Sequence, residues 1–180
     1  SAIKNKDKVG LILFSDHVEK FIAPKKDRSH ILRVVREVLF HEPEGTGTSL
    51  QSGLDFLMNV AKRKSVVFII SDFLDDGYWK SLKLANKKHD MIGIRIADPA
   101  ESKLPDLGLI KVHDPETGEM FWANLSSEIE RNTFSQSVME KWETFEKECG
   151  RSRFDVINVG TDKDYVEPLM TYFRRREKRN

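Results

Sequence analysis

Val66-Val67-Phe68-Ile69-Ile70 is a run of consecutive apolar residues, mostly β-branched, that stops abruptly on Ser71 and Asp72. A strand this apolar has to be covered on both faces, which predicts a place inside a parallel sheet flanked by helices. In such sheets ligands bind beyond the carboxyl ends of the strands, so Asp72 falls where a binding group belongs. Earlier in the chain, Gly45-Thr46-Gly47-Thr48-Ser49 is a small-residue turn rich in hydroxyls. An aspartate at a strand tip and a threonine in a loop are hard oxygen donors of the kind that hold Mg2+.

The rest of the chain has the rhythm such a sheet needs. Val9 to Phe14 reads as an apolar strand and Val18 to Ile22 as a half-exposed one, joined as a hairpin through Ser15-Asp16-His17. Ser29 is the predicted cap of a helix with Ile31, Leu32, Val35, Val38 and Leu39 on one stripe. Further helices are predicted from about Ser49 to Arg63 and from Tyr78 to His89, the second introduced by the turn Asp75-Asp76-Gly77 with its N-cap. Met91 to Ala97 is the next buried strand. Two short runs, Leu109 to His113 and Met120 to Ala123, flank the hairpin turn Asp114-Pro115-Glu116-Thr117-Gly118. Ser127 and Glu130 have capping-box spacing and open a long helix to about Cys149, with Gly150 as its stop. Phe154 to Val159 is the last strand and Asp162 to Arg176 the last helix, while Ser1 to Lys6 reads as the tail of a helix. Apolar strands alternating with amphipathic helices predict a doubly wound, mainly parallel α/β sheet, in one domain over residues 1–180.

Composition removes several classes of function. Lys and Arg number 30 against 29 Asp and Glu, so no charge excess points to nucleic acid or an acidic membrane surface. The basic cluster Arg174-Arg175-Arg176-Glu177-Lys178-Arg179 suits the solvated end of a terminal helix. Cys149 is the only cysteine, which excludes an intramolecular disulfide and fits a reducing, cytoplasmic compartment. No apolar run approaches the roughly 20 residues of a membrane span. There is no Gly-x-Gly-x-x-Gly, Walker loop or Gly-x-Ser-x-Gly elbow, and His17, His30, His41, His89 and His113 share no metal-ligand spacing.

The candidate ligands also have local readings. Thr48 stands at capping-box spacing from Gln51, and Asp72 can hydrogen-bond its own loop. Asp75 and Asp76 could join Asp72 in a two-metal phosphoryl-transfer site, but both fall on turn and cap positions where aspartate is common for local reasons. Arg95, inside an otherwise apolar strand, must find an anion or reach solvent, and a structural ion pair is the expected solution.

Several stretches in combination resemble the C-terminal von Willebrand factor A-like region of the bacterial domain-of-unknown-function family 58. They are Asn5 to Ser15, Gly47-Thr48, Phe68 to Phe73, Asp98-Pro99 with Leu104-Pro105-Asp106, and Val156 to Tyr165 leading to Phe173-Arg174-Arg175. Genes of this family commonly accompany MoxR-type AAA+ ATPases. The resemblance implies a mainly parallel sheet with helices on both sides and Val18 to Ile22 as an antiparallel edge. It also implies a metal-ion-dependent adhesion site made of an Asp-x-Ser-x-Ser motif, a loop threonine, here Thr48, and a strand-tip aspartate, here Asp72. No Asp-x-Ser-x-Ser occurs in these 180 residues, so the resemblance implies a chain that begins inside the domain and lacks its first central strand. Two expectations follow. The strands at Val9 and Val66 should pair directly in parallel or find their partner in a second copy, a homo-oligomer through open strand edges. Mg2+, or Mn2+ or Ca2+, should belong to the intact protein and bind weakly or not at all here, because one carboxylate and one hydroxyl fall short of six ligands.

The function these readings imply is a non-enzymatic protein–protein interaction module working through a cation, with a MoxR-type ATPase as the partner system. The alternatives are a Mg2+-dependent phosphoryl-transfer or hydrolytic enzyme and a metal-free scaffold.

Overall fold

The computed structural model describes residues 7–99, 104–113 and 120–178, so the expected helix tail at Ser1 to Lys6 and the turn Asp114 to Gly118 lie outside the described residues. The chain forms two compact units. One holds the chain through Lys62 together with Asp75–Leu82; the other holds Arg63–Leu74, the chain from Lys83 to His113 and the chain from Met120 onward.

In the first unit β1 (Val9–Phe14) and β2 (Val18–Lys25) form the expected antiparallel hairpin. β2 runs past Ile22 because Lys25 still pairs with Val9. Helix α1 (Arg28–Phe40) is capped by Asp27, whose Oδ1 accepts from the His30 amide at 2.8 Å, and not by Ser29, whose hydroxyl donates to the same oxygen at 2.6 Å. Its expected apolar stripe does not become a core face. His30 and Val34 are the buried residues of α1, while Leu32, Val35, Val38 and Leu39 are exposed, Leu39 by 69%. The cause is a polar anchor: the His30 ring donates to the Val9 carbonyl at 2.8 Å and turns its own face of the helix toward β1. Helix α2 (Leu50–Val60) buries Leu50, Gly53 and Leu54 and ends short of Arg63.

The second unit is organised on a parallel sheet of β3 (Val66–Ser71), β4 (Asp90–Ala97) and β7 (Asp155–Gly160), in the order β3-β4-β7. Ile92 and Ile157 on β4 and β7, with Val159, form a core that Leu169 and Tyr172 of α5 (Val166–Glu177) cover. Helix α3 (Trp79–Lys88) leads into β4, and β5 (Leu109–His113) pairs antiparallel with β6 (Met120–Asn124) as expected. The α/β class is therefore the observed one, with a three-stranded parallel sheet and two antiparallel hairpins among the described residues. No described helix is long and apolar enough to cross a membrane.

Three expectations are corrected. First, central β4 is covered along its length, with Met91, Ile92 and Gly93 buried and its other residues half-buried, but β3 is not: its Val66, Phe68 and Ile70 are exposed, Ile70 by 65%. β3 is an edge strand whose hydrogen-bonded neighbour among the described residues is β4 alone. Second, among the described residues the strand bonded to β1 is β2, and no β1–β3 pairing is present. Third, α4 (Glu128–Ser152) runs through Gly150. It ends where Arg153 takes the left-handed conformation at φ 49°, and Asn86 Nδ2 donates to the terminal carbonyls of Ser152 and Arg153 at 3.0 and 3.2 Å. The left-handed Arg153 takes the part of a terminal glycine, its amide and that of Phe154 returning to the Cys149 carbonyl, and Asn86 satisfies the last two carbonyls.

Candidate functional site

Thr48 lies in the first unit, exposed on the glycine-rich loop that leads into α2. The cap of α2 is Ser49, whose hydroxyl accepts from the Ser52 amide at 3.2 Å, so the capping role open to Thr48 belongs to its neighbour. A second acceptor at this helix start is Asp75, which takes the Leu50 amide at 2.8 Å. Asp75 thus caps α2, a role its place in the chain does not advertise.

The loop is held by the β1–β2 turn. The Ser49 amide donates to the Ser15 carbonyl at 2.7 Å and the Ser52 hydroxyl to the Asp16 carbonyl at 3.3 Å. A Cβ on Gly45 would come within 2.2 Å of Ser15 Oγ and 2.3 Å of Asp16 Oδ1, so only glycine allows this approach. At the centre is Glu19, a carboxylate with 3% side-chain exposure. One oxygen accepts the amides of Glu44 and Gly45, each at 3.1 Å, and the other meets His41 Nε2 at 2.5 Å. Hydrogen bonding by Ser15, the Gly45 amide and His41 holds this carboxyl down to about 2. On the exposed side of the turn Asp16 and His17 pair at 2.5 Å, which lowers the aspartate and raises the histidine. Sequence reading singled out none of Asp16, Glu19 or His41. The only available signal was a glutamate in a strand that otherwise alternates.

Asp72 lies in the second unit, exposed just beyond the carboxyl end of β3. Its Oδ1 accepts from the Leu74 amide at 3.1 Å and from the Ser71 hydroxyl at 3.4 Å, which fixes the carboxylate while Oδ2 keeps no protein donor among the described residues. Phe73, next in the chain, adopts φ 59°, a left-handed conformation costly for a bulky residue. Burial holds it there. Phe73 is 4% exposed, and its ring lies 5.1 Å from that of Phe145 and 6.2 Å from that of Phe154. Gly93 of β4 makes room, since a Cβ there would meet Phe154 Cζ at 2.9 Å and Phe73 Cζ at 3.1 Å. Arg95 lays its guanidinium over the face of the Trp142 ring.

The acidic trio is not one cluster. Asp75 caps α2, Asp76 follows it with its amide on Asp75 Oδ1 at 2.7 Å, and Asp72 serves the other unit. Among the described residues no three His, Cys, Asp or Glu side chains gather as a protein-only metal cage requires. Asp72 and Thr48 each carry a hard oxygen of the type Mg2+ takes, one in each compact unit.

Comparison with known proteins agrees with this fold. The family described as protein of unknown function DUF58 matches residues 1–144. An uncharacterized protein of Mycobacterium avium, MAV169, is 23% identical over 155 residues, 86% of this chain and 90% of that protein. The uncharacterized protein Rv1480 of Mycobacterium tuberculosis is 20% identical over 175 residues, 96% of this chain, and the chain spans 55% of that relative's length. Among solved structures, the conserved hypothetical protein BatB from Bacteroides thetaiotaomicron superposes with a TM-score of 0.53 at 13% identity, covering 98% of this chain and 82% of that one. That likeness supports a von Willebrand factor A-like fold. With the family match running through both compact units, the chain belongs to the DUF58 proteins of unknown function.

Proposed function

We propose that this chain is a protein-interaction module that binds its partner through a divalent cation, and that it does not itself catalyse a reaction. The observation that carries the reading is Asp72: a carboxylate fixed through Oδ1, with Oδ2 turned to no protein donor among the described residues, at the carboxyl end of a parallel strand. Thr48 is the second oxygen ligand in this reading, and an acidic side chain of the partner completes the coordination. The partner in this reading is a MoxR-type AAA+ ATPase, the class that the family resemblance implies.

The test is capture of such an ATPase by the immobilised chain in Mg2+ and in EDTA. The reading expects capture in Mg2+ and its loss in EDTA, in Asp72→Asn and in Thr48→Val. Capture indifferent to EDTA and to both substitutions overturns the cation and leaves a metal-free scaffold. Phosphatase turnover that disappears in Asp72→Asn overturns the non-enzymatic assignment.

A further inference from the structure

Within the second unit, the end of the sheet opposite Asp72 carries a cavity of about 810 Å3 around the start of β4 and the carboxyl ends of α3 and α4. Its size falls in the range of small-molecule sites. Its lining is strongly cationic. Lys64, Lys83, Lys87, Arg151, Arg153 and Arg176 face it against a single lining carboxylate, Asp90.

Ion pairing accounts for only half of these charges. Arg176 is bonded to Asp90, and Lys83 and Arg151 share Glu148 at 2.8 and 2.7 Å. Lys64, Lys87 and Arg153 have no carboxylate partner among the described residues. The negative ends of α3 and α4 favour cations here, but Asn86 already serves the last carbonyls of α4.

The second observation is independent of charge. His89, at the end of α3, is 2% exposed, and neither ring nitrogen has a hydrogen-bond partner among the described residues. The Ser152 hydroxyl, also on the lining, is buried and equally unsatisfied. Buried polar atoms are ordinarily bonded, and leaving them unpaired is costly. Burial, and secondarily Lys88, lowers the His89 basicity, so its ring offers one N–H donor as a neutral group.

Unpaired cations above two orphaned neutral donors match an anion with several acceptor oxygens. We propose that this cavity binds a phosphate group, either inorganic phosphate or the terminal phosphate of a small phosphomonoester. His89 and Ser152 donate to its oxygens while Lys64, Lys87 and Arg153 neutralise it. This site is independent of the cation reading, which concerns the other end of β3.

The experiment titrates the 15N-labelled chain with inorganic phosphate, with adenosine 5′-monophosphate and with sodium chloride at matched ionic strength, following amide shifts. Saturable shifts at His89, Asp90 and Ser152 with phosphate or the nucleotide, absent with chloride, are the expected result. The tighter of the two probes identifies the source of the phosphate. Two variants sharpen it. Lys64→Glu/Lys87→Glu alters only exposed side chains and should weaken binding at least tenfold. His89→Leu replaces an unpaired buried ring by an apolar group, so it should weaken phosphate binding at least fivefold while keeping or raising Tm. Shifts that chloride reproduces, or binding unchanged within twofold in both variants, overturn the proposal.

Discussion

The loops that carry Thr48 and Asp72 are each held firmly, by opposite physics. The Thr48 loop is held by polar groups: a buried carboxylate gathers two backbone amides and a histidine, and two further hydrogen bonds tie α2 to the β1–β2 turn. The Asp72 tip is held by apolar packing, with a left-handed Phe73 pinned between two aromatic rings over a glycine. A polar clamp answers to pH and to single hydrogen-bond deletions. An aromatic anchor answers to volume and ignores pH. The two loops are thus held by devices that fail under different conditions.

The largest expected effect is on the aromatic side. Phe73→Ala removes a buried ring and leaves an alanine in the left-handed region, and should destabilise the second unit by about 3–5 kcal/mol in denaturant unfolding. Amide exchange should speed up along β3 and β4 first. Exchange accelerated equally in the 42–49 loop would show that the two devices are not separate.

Next comes Gly45→Ala. The added methyl overlaps Ser15 Oγ and Asp16 Oδ1, both close to rigid backbone, so the cost should be about 1–3 kcal/mol. The loss should appear as increased exchange around Thr48 while β3 and β4 stay protected. Unchanged Tm and exchange would mean that the loop does not rest on this turn.

The third effect is a matter of pH. The Glu19 carboxyl is held at about 2 in the fold against an ordinary 4.5, so the folded chain binds fewer protons than the unfolded one in that interval. Its stabilising contribution is complete above about pH 4.5 and is lost as pH falls toward 2. Thermal melts of the native chain and Glu19→Gln should therefore differ most at pH 6–7 and converge as pH falls from 5 to 3. A constant gap over that range would remove Glu19 from the clamp.

The two devices were unequally legible in the sequence. The strand ending on Asp72 is visible because an apolar run closing on a polar pair has few other meanings, and the parallel sheet followed from it. Its exposed face was not visible: Val66, Phe68 and Ile70 look as buried as Ile69, and only the strand order makes β3 an edge. The stripe on α1 misled for a related reason, since one hydrogen bond from His30 to Val9 decides which side of the helix turns inward. Phe73 was opaque because a backbone angle leaves no mark on a phenylalanine. Glu19 was opaque because its donors come from two loop amides and His41, which no local spacing connects to it. Hairpins, strands and the family pattern are written in short-range order; clamps and anchors depend on long-range contacts.

The smallest expected effect on stability is the most informative about function. Asp72→Asn keeps an oxygen in the place of Oδ1, so the Leu74 amide and the Ser71 hydroxyl keep their acceptor and the Phe73 anchor is untouched. At an exposed position such a change should shift unfolding by less than about 0.5 kcal/mol. What it removes is the charge, which a hard cation needs far more than the loop does. Unchanged stability together with lost Mg2+-dependent partner capture would separate a ligand from a structural aspartate. A loss of stability comparable to that of Phe73→Ala would instead make Asp72 part of the anchor, because then its carboxylate, and not the aromatic cluster, would be what holds the strand tip in place.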